Sequence, residues 1–175
     1  MCRNIEQKCQ GIQLILSDVD GVLSDGTIWY DNYGVESKHF HARDGLGIDL
    51  WHHIGCKFGL VTGRSSPIVR HRAAELAITV VRQGVTDKWE AVREILEQLQ
   101  LTCEQVCFIG DDLPDLLPIR HAALGVAVAD AVPEVVNAAD YVTQHCGGKG
   151  AVRETIELIL KHQECWPVIV RHYGG

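Results

Sequence analysis

Apolar residues in this chain gather into short runs separated by longer stretches of mixed character. Strand-like runs fall at Leu14–Ser17, Lys57–Val61, Thr79–Val81, Val106–Ile109, Gly125–Val128 and Tyr141–Val142. The first belongs to Ile12-Gln13-Leu14-Ile15-Leu16, a nearly continuous apolar stretch expected of a strand buried on both faces. Helix-like segments lie between the runs, at about Leu46–Ile54, Ser66–Leu76, Asp87–Leu99, Asp112–His121, Val132–Ala138 and Ala151–His162. Such alternation predicts βαβ units, and hence an α/β fold with a doubly wound parallel sheet. One stretch breaks the rhythm. Between Thr27 and Phe40 two β-type runs flank Asp31-Asn32-Tyr33-Gly34, which predicts a β-hairpin after the first strand. No repeat or linker interrupts the pattern, so the expected organisation is an N-terminal extension over 1–11, one domain over 12–162 and a C-terminal tail over 163–175.

Composition narrows the class. A chain of 175 residues with 46% hydrophobic content is long enough for a full core. Its apolar runs are only strand-length, which excludes a helical membrane span. A net charge of −7 with no basic or aromatic stripe argues against a nucleic-acid partner. Met1-Cys2-Arg3-Asn4-Ile5-Glu6-Gln7 lacks the pattern of a signal peptide, and a cytoplasmic location is expected. The seven cysteines are scattered, and Cys103-x-x-x-Cys107 has no second paired half with ligand spacing. Reduced structural thiols are therefore expected rather than zinc.

Chemistry concentrates where predicted strands end. Asp18-Val19-Asp20-Gly21-Val22 follows the first strand, and its two neighbouring carboxylates repel unless a cation or a shared proton offsets them. Leu60-Val61-Thr62-Gly63-Arg64 closes the second core strand with a hydroxyl, a glycine and a guanidinium. Asp87 can cap the helix that Lys88 begins. Phe108-Ile109-Gly110-Asp111-Asp112-Leu113-Pro114-Asp115 closes the fourth strand with three carboxylates. Taken singly, each also reads as a turn, a capped helix start or a loop. Four in this order at one rim of a sheet supply the parts for metal-dependent phosphoryl transfer: a carboxylate nucleophile, an acid/base group, a hydroxyl and a lysine for phosphoryl oxygens, and aspartates for a hard cation, with Mg²⁺ expected. No glycine-rich nucleotide loop is present.

In order and spacing, Asp18 and Asp20, Thr62, Lys88 and Gly110-Asp111-Asp112 resemble the four motifs of the haloacid dehalogenase superfamily. Further stretches are similar to its 3-deoxy-D-manno-octulosonate 8-phosphate (KDO 8-phosphate) phosphatase family, above all Phe40-His41-Ala42-Arg43-Asp44-Gly45-Leu46-Gly47 and Gly147-Gly148-Lys149-Gly150-Ala151-Val152-Arg153-Glu154. The likeness runs from about Ile12 to His162, while the segment from Cys165 to Gly175 departs from the tails of that family.

That resemblance implies a Mg²⁺-dependent phosphatase in which Asp18 attacks phosphorus and Asp20 protonates the leaving sugar oxygen and later activates water. It implies Mg²⁺ on Asp18, the Asp20 backbone carbonyl and Asp111, with Thr62 and Lys88 on the phosphoryl oxygens. Asp112 and Asp115 are then outer groups that orient metal waters or Lys88. Arg43 and Arg64 are the candidates for recognising a substrate carboxylate, Arg43 having also the reading of an ion-pair partner. The spacings from Asp18 to Thr62 to Lys88 leave no room for a cap domain. The resembled family compensates by assembling as a tetramer through its hairpins, a role that Trp29, Tyr30 and Tyr33 suit, although each could equally pack on its own domain. A nonulosonate 9-phosphate, of KDN or sialic acid, is the alternative substrate; Arg64 after Thr62-Gly63 resembles the KDO branch. A signalling receiver domain is disfavoured, because its acceptor aspartate lies on a middle strand. A catalytically dead regulatory subunit is disfavoured because Asp18, Asp20, Lys88 and Asp111 are all present.

Overall fold

The computed structural model describes residues 4–175. Its strands are β1 Leu14–Ser17, β2 Trp29–Tyr30, β3 Glu36–Ser37, β4 Lys57–Thr62, β5 Val80–Gln83, β6 Val106–Gly110, β7 Leu124–Ala127 and β8 Tyr141–Val142. Its helices are α1 Ile5–Gln10, α2 Ala42–His53, α3 Pro67–Glu75, α4 Lys88–Leu99, α5 Leu116–His121, α6 Pro133–Ala138, α7 Ala151–His162 and α8 Trp166–His172. Six strands form one sheet in the order β5-β4-β1-β6-β7-β8, every neighbouring pair parallel. The chain enters at the centre, winds to one edge, then crosses back over β1 to build the other. Residues following β1 therefore lie at the point where strand order reverses, the place where open α/β sheets hold ligands.

Alternation along the strands divides the core in two. Leu14, Leu16, Val61 and Phe108 join Ala91, Val92, Ile95 and Leu96 of α4, with Ile119 of α5 and Val135 of α6. Ile15, Phe58, Leu60 and Ile109 face the other way, against Trp51 of α2, Val69 of α3 and Val152, Ile156 and Ile159 of α7. Burying each such side chain contributes roughly 1.5–3 kcal/mol, and truncating Ile15, wholly inaccessible in β1, costs about 2–5 kcal/mol. This is the doubly wound α/β architecture expected, and among the described residues no cap domain interrupts it. The predicted hairpin is present as the antiparallel pair β2 and β3.

Two boundaries differ from expectation for identifiable reasons. Helix α2 begins at Ala42 rather than Leu46, running through two glycines because Asp44 is buried and accepts from the amides of Gly150 (3.2 Å) and Arg153 (2.8 Å) at the start of α7. The two helices pack so closely that a Cβ on Gly47 would lie 3.0 Å from Arg153 Cδ. The predicted helix over Asp112–His121 divides into a 3₁₀ turn at Leu113–Asp115 and α5, with Asp112 capping that turn.

Both flanks of the domain, over the described residues, also fold onto it. Helix α1 carries a capping box between Asn4 and Gln7, and Gln163 Nε2 donates to the carbonyls of Cys9 and Ile12 (2.9 Å each). Helix α8 inserts Ile169 into the core. The six described cysteines are free, and Cys2 lies outside the described residues. No helix among the described residues is long and apolar enough to cross a membrane.

Candidate active site

Asp18 is the first residue beyond β1, and its amide still donates to the Ile109 carbonyl of β6 at 3.0 Å, so the sheet fixes its position. Its Oδ1 accepts the Val19 amide at 2.7 Å. The loop that follows turns at Gly21, where φ is +93° and a Cβ would lie 2.1 Å from Asp111 Oδ2. Only glycine lets the loop after β1 approach the loop after β6 this closely.

Lys88 is the first residue of α4, whose cap Asp87 accepts the Glu90 amide at 3.0 Å. Its ammonium, only 6% exposed, bridges Asp18 Oδ2 at 2.8 Å and Asp115 Oδ1 at 2.6 Å. Asp115 is completely buried, and its Oδ2 accepts the amides of Asp111 (3.1 Å) and Asp112 (3.3 Å). Both oxygens of Asp115 are thus committed to holding Lys88 and the loop after β6.

Charge within this cluster is not balanced. Burial, with Asp115 alongside, pushes the Asp18 carboxyl up to about 6 against the opposing pull of Lys88. Burial and the fields of Asp18 and Asp115 push Asp111 up to about 7. Burial works against the Lys88 ammonium, but Asp18 and Asp115 overcome it and raise its pKa. Oxygens of Asp18, Asp111 and Asp115 lie within 4.8 Å of one another, and Asp111 Oδ1 is buried with no hydrogen-bond partner. With Asp115 saturated, Asp18 and Asp111 have the free lone pairs. An all-oxygen donor set with surplus negative charge fits a hard divalent cation that keeps part of its water shell.

Around this centre the structure gathers most of the other predicted residues. Thr62, buried at the end of β4, accepts the Arg64 amide on Oγ1 at 3.3 Å. Arg64 Nη2 reaches Tyr30 Oη at 2.9 Å and Glu36 Oε1 at 3.2 Å, and its Nε lies 3.7 Å from Asp20 Oδ2. Asp20 Oδ1 accepts from Lys38 Nζ and, at 3.4 Å, from Ser24 Oγ.

Two candidates stand apart. Asp112 is exposed and caps its turn, accepting the Leu113 amide at 2.7 Å, so of the two outer groups expected it is Asp115 that contacts Lys88. Arg43 is exposed on α2, makes no ion pair among the described residues, and lines a groove of about 410 Å³ with Leu46, Lys149, Arg153 and Glu157 rather than touching the cluster. A mostly apolar groove of about 310 Å³ between α2 and α8, lined by Leu50, Ile54, Val168 and Ile169 among others, contains none of the predicted site residues.

Sequence reading missed Glu36 and Lys38. Their signal was the period of two carried from β3 into the residue that follows it, which puts residues two apart on one face and here brings Lys38 to Asp20 and Glu36 to Arg64.

Comparisons with known proteins show a family and a shared fold. A family model for haloacid dehalogenase-like hydrolases matches residues 74–154. The 3-deoxy-D-manno-octulosonate 8-phosphate phosphatase KdsC of Escherichia coli is 43% identical over 160 residues, 91% of this chain and 85% of the relative. The 3-deoxy-D-manno-octulosonate 8-phosphate phosphatase of Moraxella catarrhalis, solved with magnesium, phosphate and KDO, is 41% identical, with a TM-score of 0.95 covering 97% of each chain. The cobalt-bound deoxy-D-mannose-octulosonate 8-phosphate phosphatase of Haemophilus influenzae is also 41% identical, with a TM-score of 0.87 over 90% of this chain and 92% of that one.

Proposed function

The chain belongs to the KDO 8-phosphate phosphatases of the haloacid dehalogenase-like hydrolases, and we propose that it hydrolyses KDO 8-phosphate to KDO and inorganic phosphate with Mg²⁺ as cofactor. The observation that carries this reading is the buried Lys88 ammonium bridging Asp18 and Asp115 beside the unpartnered oxygen of Asp111, at the reversal point of the sheet. Asp18, Asp111 and the Asp20 carbonyl would hold the cation, which offsets the negative charge of carboxylate and phosphate and lets them meet.

In the first step an Asp18 carboxylate oxygen attacks phosphorus. The bond between phosphorus and the sugar oxygen breaks, and Asp20 gives its proton to that oxygen. In the second step Asp20 takes a proton from water as the water oxygen attacks phosphorus, and the aspartyl-phosphate bond breaks to free Asp18. Lys88 and Thr62 are placed to carry charge on the transferring oxygens. Asp115 fixes Lys88, and Asp112 holds the turn that presents Asp111 and Asp115.

Recognition of the sugar acid falls to Arg64, whose planar fork suits a carboxylate. Arg43 makes no ion pair among the described residues and lies apart from this cluster, so a role for it in recognition requires a neighbouring copy. Trp29, Tyr30 and Tyr33 are 54%, 59% and 92% exposed on the uncapped side, and this surface supports a homotetramer in which hairpins pack together. The catalytic unit spans 12–162, with 1–11 and 163–175 as its flanks. A cytoplasmic location suits the free thiols. Phosphate release from KDO 8-phosphate and from a nonulosonate 9-phosphate, each with Mg²⁺ and with EDTA, tests the reading. Mg²⁺-dependent turnover with preference for KDO 8-phosphate is expected; preference for the nonulosonate ester assigns the alternative substrate.

A further inference from the structure

We propose that Lys38 is a positioning residue for the proton-transfer carboxylate Asp20, anchored for that task by Glu36. This rests on the phosphatase reading above and adds a residue to it. Lys38 follows β3 on a hairpin whose aromatic side chains are exposed, yet its own side chain is completely inaccessible. A buried ammonium is costly unless paired, and its partners are Asp20 Oδ1 and, at 3.2 Å, Glu36 Oε1.

Glu36 is held independently of Asp20. Ser66 Oγ donates to its Oε2 at 2.5 Å and Arg64 Nη2 to its Oε1 at 3.2 Å. Ser66 is buried at the cap of α3, its amide donating to Gln83 Oε1 at 2.7 Å. Lys38 is thereby tied through Glu36 to the junction of β4 and α3, part of the rigid domain rather than of the arm that carries it.

The consequence lies at Asp20. Its Oδ1 accepts from Lys38 and, at 3.4 Å, from Ser24 Oγ, whereas its Oδ2 makes no hydrogen bond and lies 3.7 Å from Arg64 Nε. A group that gives a proton in one step and takes one in the next needs one oxygen free of hydrogen bonds and the carboxylate plane fixed. Clamping Oδ1 supplies both. Glu36 shares the ammonium, so Lys38 restrains Asp20 without its charge being balanced by Asp20 alone.

The test compares Lys38→Met, Lys38→Arg and Glu36→Gln with the Mg²⁺-loaded wild type, measuring kcat and KM on KDO 8-phosphate and on nitrophenyl phosphate. The nitrophenolate leaving group hardly needs a proton. Lys38→Met is expected to lower kcat on KDO 8-phosphate about 100-fold, with KM within about threefold and a loss on nitrophenyl phosphate at least about tenfold smaller. Lys38→Arg should recover most of the loss, and Glu36→Gln should fall between. Added to Asp20→Asn, Lys38→Met should cost little more, because the two act through one group. Equal losses on both substrates, a raised KM at unchanged kcat, or no loss at all would overturn the proposal. If Lys38→Met does not fold, Lys38→Arg and Glu36→Gln decide it by the same two-substrate comparison. A wild type inactive on KDO 8-phosphate refutes the functional reading instead, and the variants are then compared on whichever sugar phosphate it does hydrolyse.

Discussion

On the strand side of the active-site rim, Lys88 is 6% exposed between Asp18 and Asp115; Asp18 follows β1, Lys88 begins α4, and Asp115 ends the 3₁₀ turn between β6 and α5. On the hairpin side, Arg64 is 43% exposed and spans Tyr30, Glu36 and Asp20, two of them reached only through strands two residues long. The first side is dry, and its geometry is set by the sheet. The second is wet at its outer edge and set by side-chain bonds alone. On the proposed assignment, phosphoryl transfer, which tolerates little misplacement of nucleophile and lysine, falls to the rigid side, and recognition of the sugar acid to the side that can change without disturbing the core. Lys38 joins the two: it is carried by the hairpin and buried with the chemistry.

The largest effect is expected on the rigid side. Asp18→Asn keeps the volume of the side chain but removes the anion, and turnover should fall by roughly four orders of magnitude or more with the far-ultraviolet circular dichroism unchanged. Substantial activity in a clean preparation would sink the aspartyl-phosphate mechanism. Removing the cation should act nearly as strongly: EDTA abolishes activity and Mg²⁺ restores it. The same cluster predicts a pH signature. Asp18 is raised from 3.8 to about 6 and Asp111 from 3.8 to about 7, so over that interval the metal-free fold holds protons that the unfolded chain has lost. Its stability should therefore decline as pH rises through the window and level off above it. Mg²⁺ competes with those protons, so the rise in Tm on adding Mg²⁺ should be larger at pH 8 than at pH 5.5. An equal rise at both values would mean that the two carboxylates are not the ligands.

Legibility in the sequence follows the same division. Residues fixed by backbone elements could be found from spacing, because a strand end or a helix start places them without reference to anything distant: Asp18, Thr62, Lys88 and Asp111 all declare themselves this way. Asp115 was visible as part of the loop after β6, and the resemblance offered it, together with Asp112, as a group that orients metal waters or Lys88; its complete burial, and that it rather than Asp112 holds Lys88, were not visible. Glu36 and Lys38 went unseen because a charged pair on a short hairpin looks like a solvated face, and only the fold of that arm against Ser66 and Asp20 buries it. Arg43 was drawn to the rim by its place before Asp44-Gly45, whereas the bonds from Gly150 and Arg153 to Asp44 orient that part of α2 toward α7. The helices α1 and α8 escaped because short terminal segments carry little periodicity, and their stability comes from packing rather than propensity.

A charge placed on the hairpin tests whether its exposed aromatic residues are interface. Trp29→Asp should weaken association by about 2 kcal/mol or more per contact if Trp29 is central to it, shifting a tetramer toward smaller species in analytical ultracentrifugation. Activity on the sugar substrate should fall with assembly. Hydrolysis of nitrophenyl phosphate should fall less, because the strand-side residues are complete within one chain. A wild type that sediments as a monomer at assay concentration and is fully active would remove the tetramer from the account.

The smallest effect expected is also the most discriminating between the two sides. Arg64→Ala removes a guanidinium that pairs with Tyr30, Glu36 and Asp20 but forms no hydrogen bond or ion pair with Asp18, Lys88 or Asp115. A charge-assisted bond to a substrate carboxylate contributes on the order of 1.5–3 kcal/mol, so KM for KDO 8-phosphate should rise roughly tenfold or more. For acetyl phosphate, which has no distal carboxylate, the change should be several-fold smaller. Equal losses on both substrates would mean that Arg64 acts through Asp20 and Glu36, as part of the hydrogen-bond frame around Lys38 rather than as the reader of the sugar acid. In that case the hairpin side, like the strand side, serves the reaction itself, and recognition must come from a neighbouring copy.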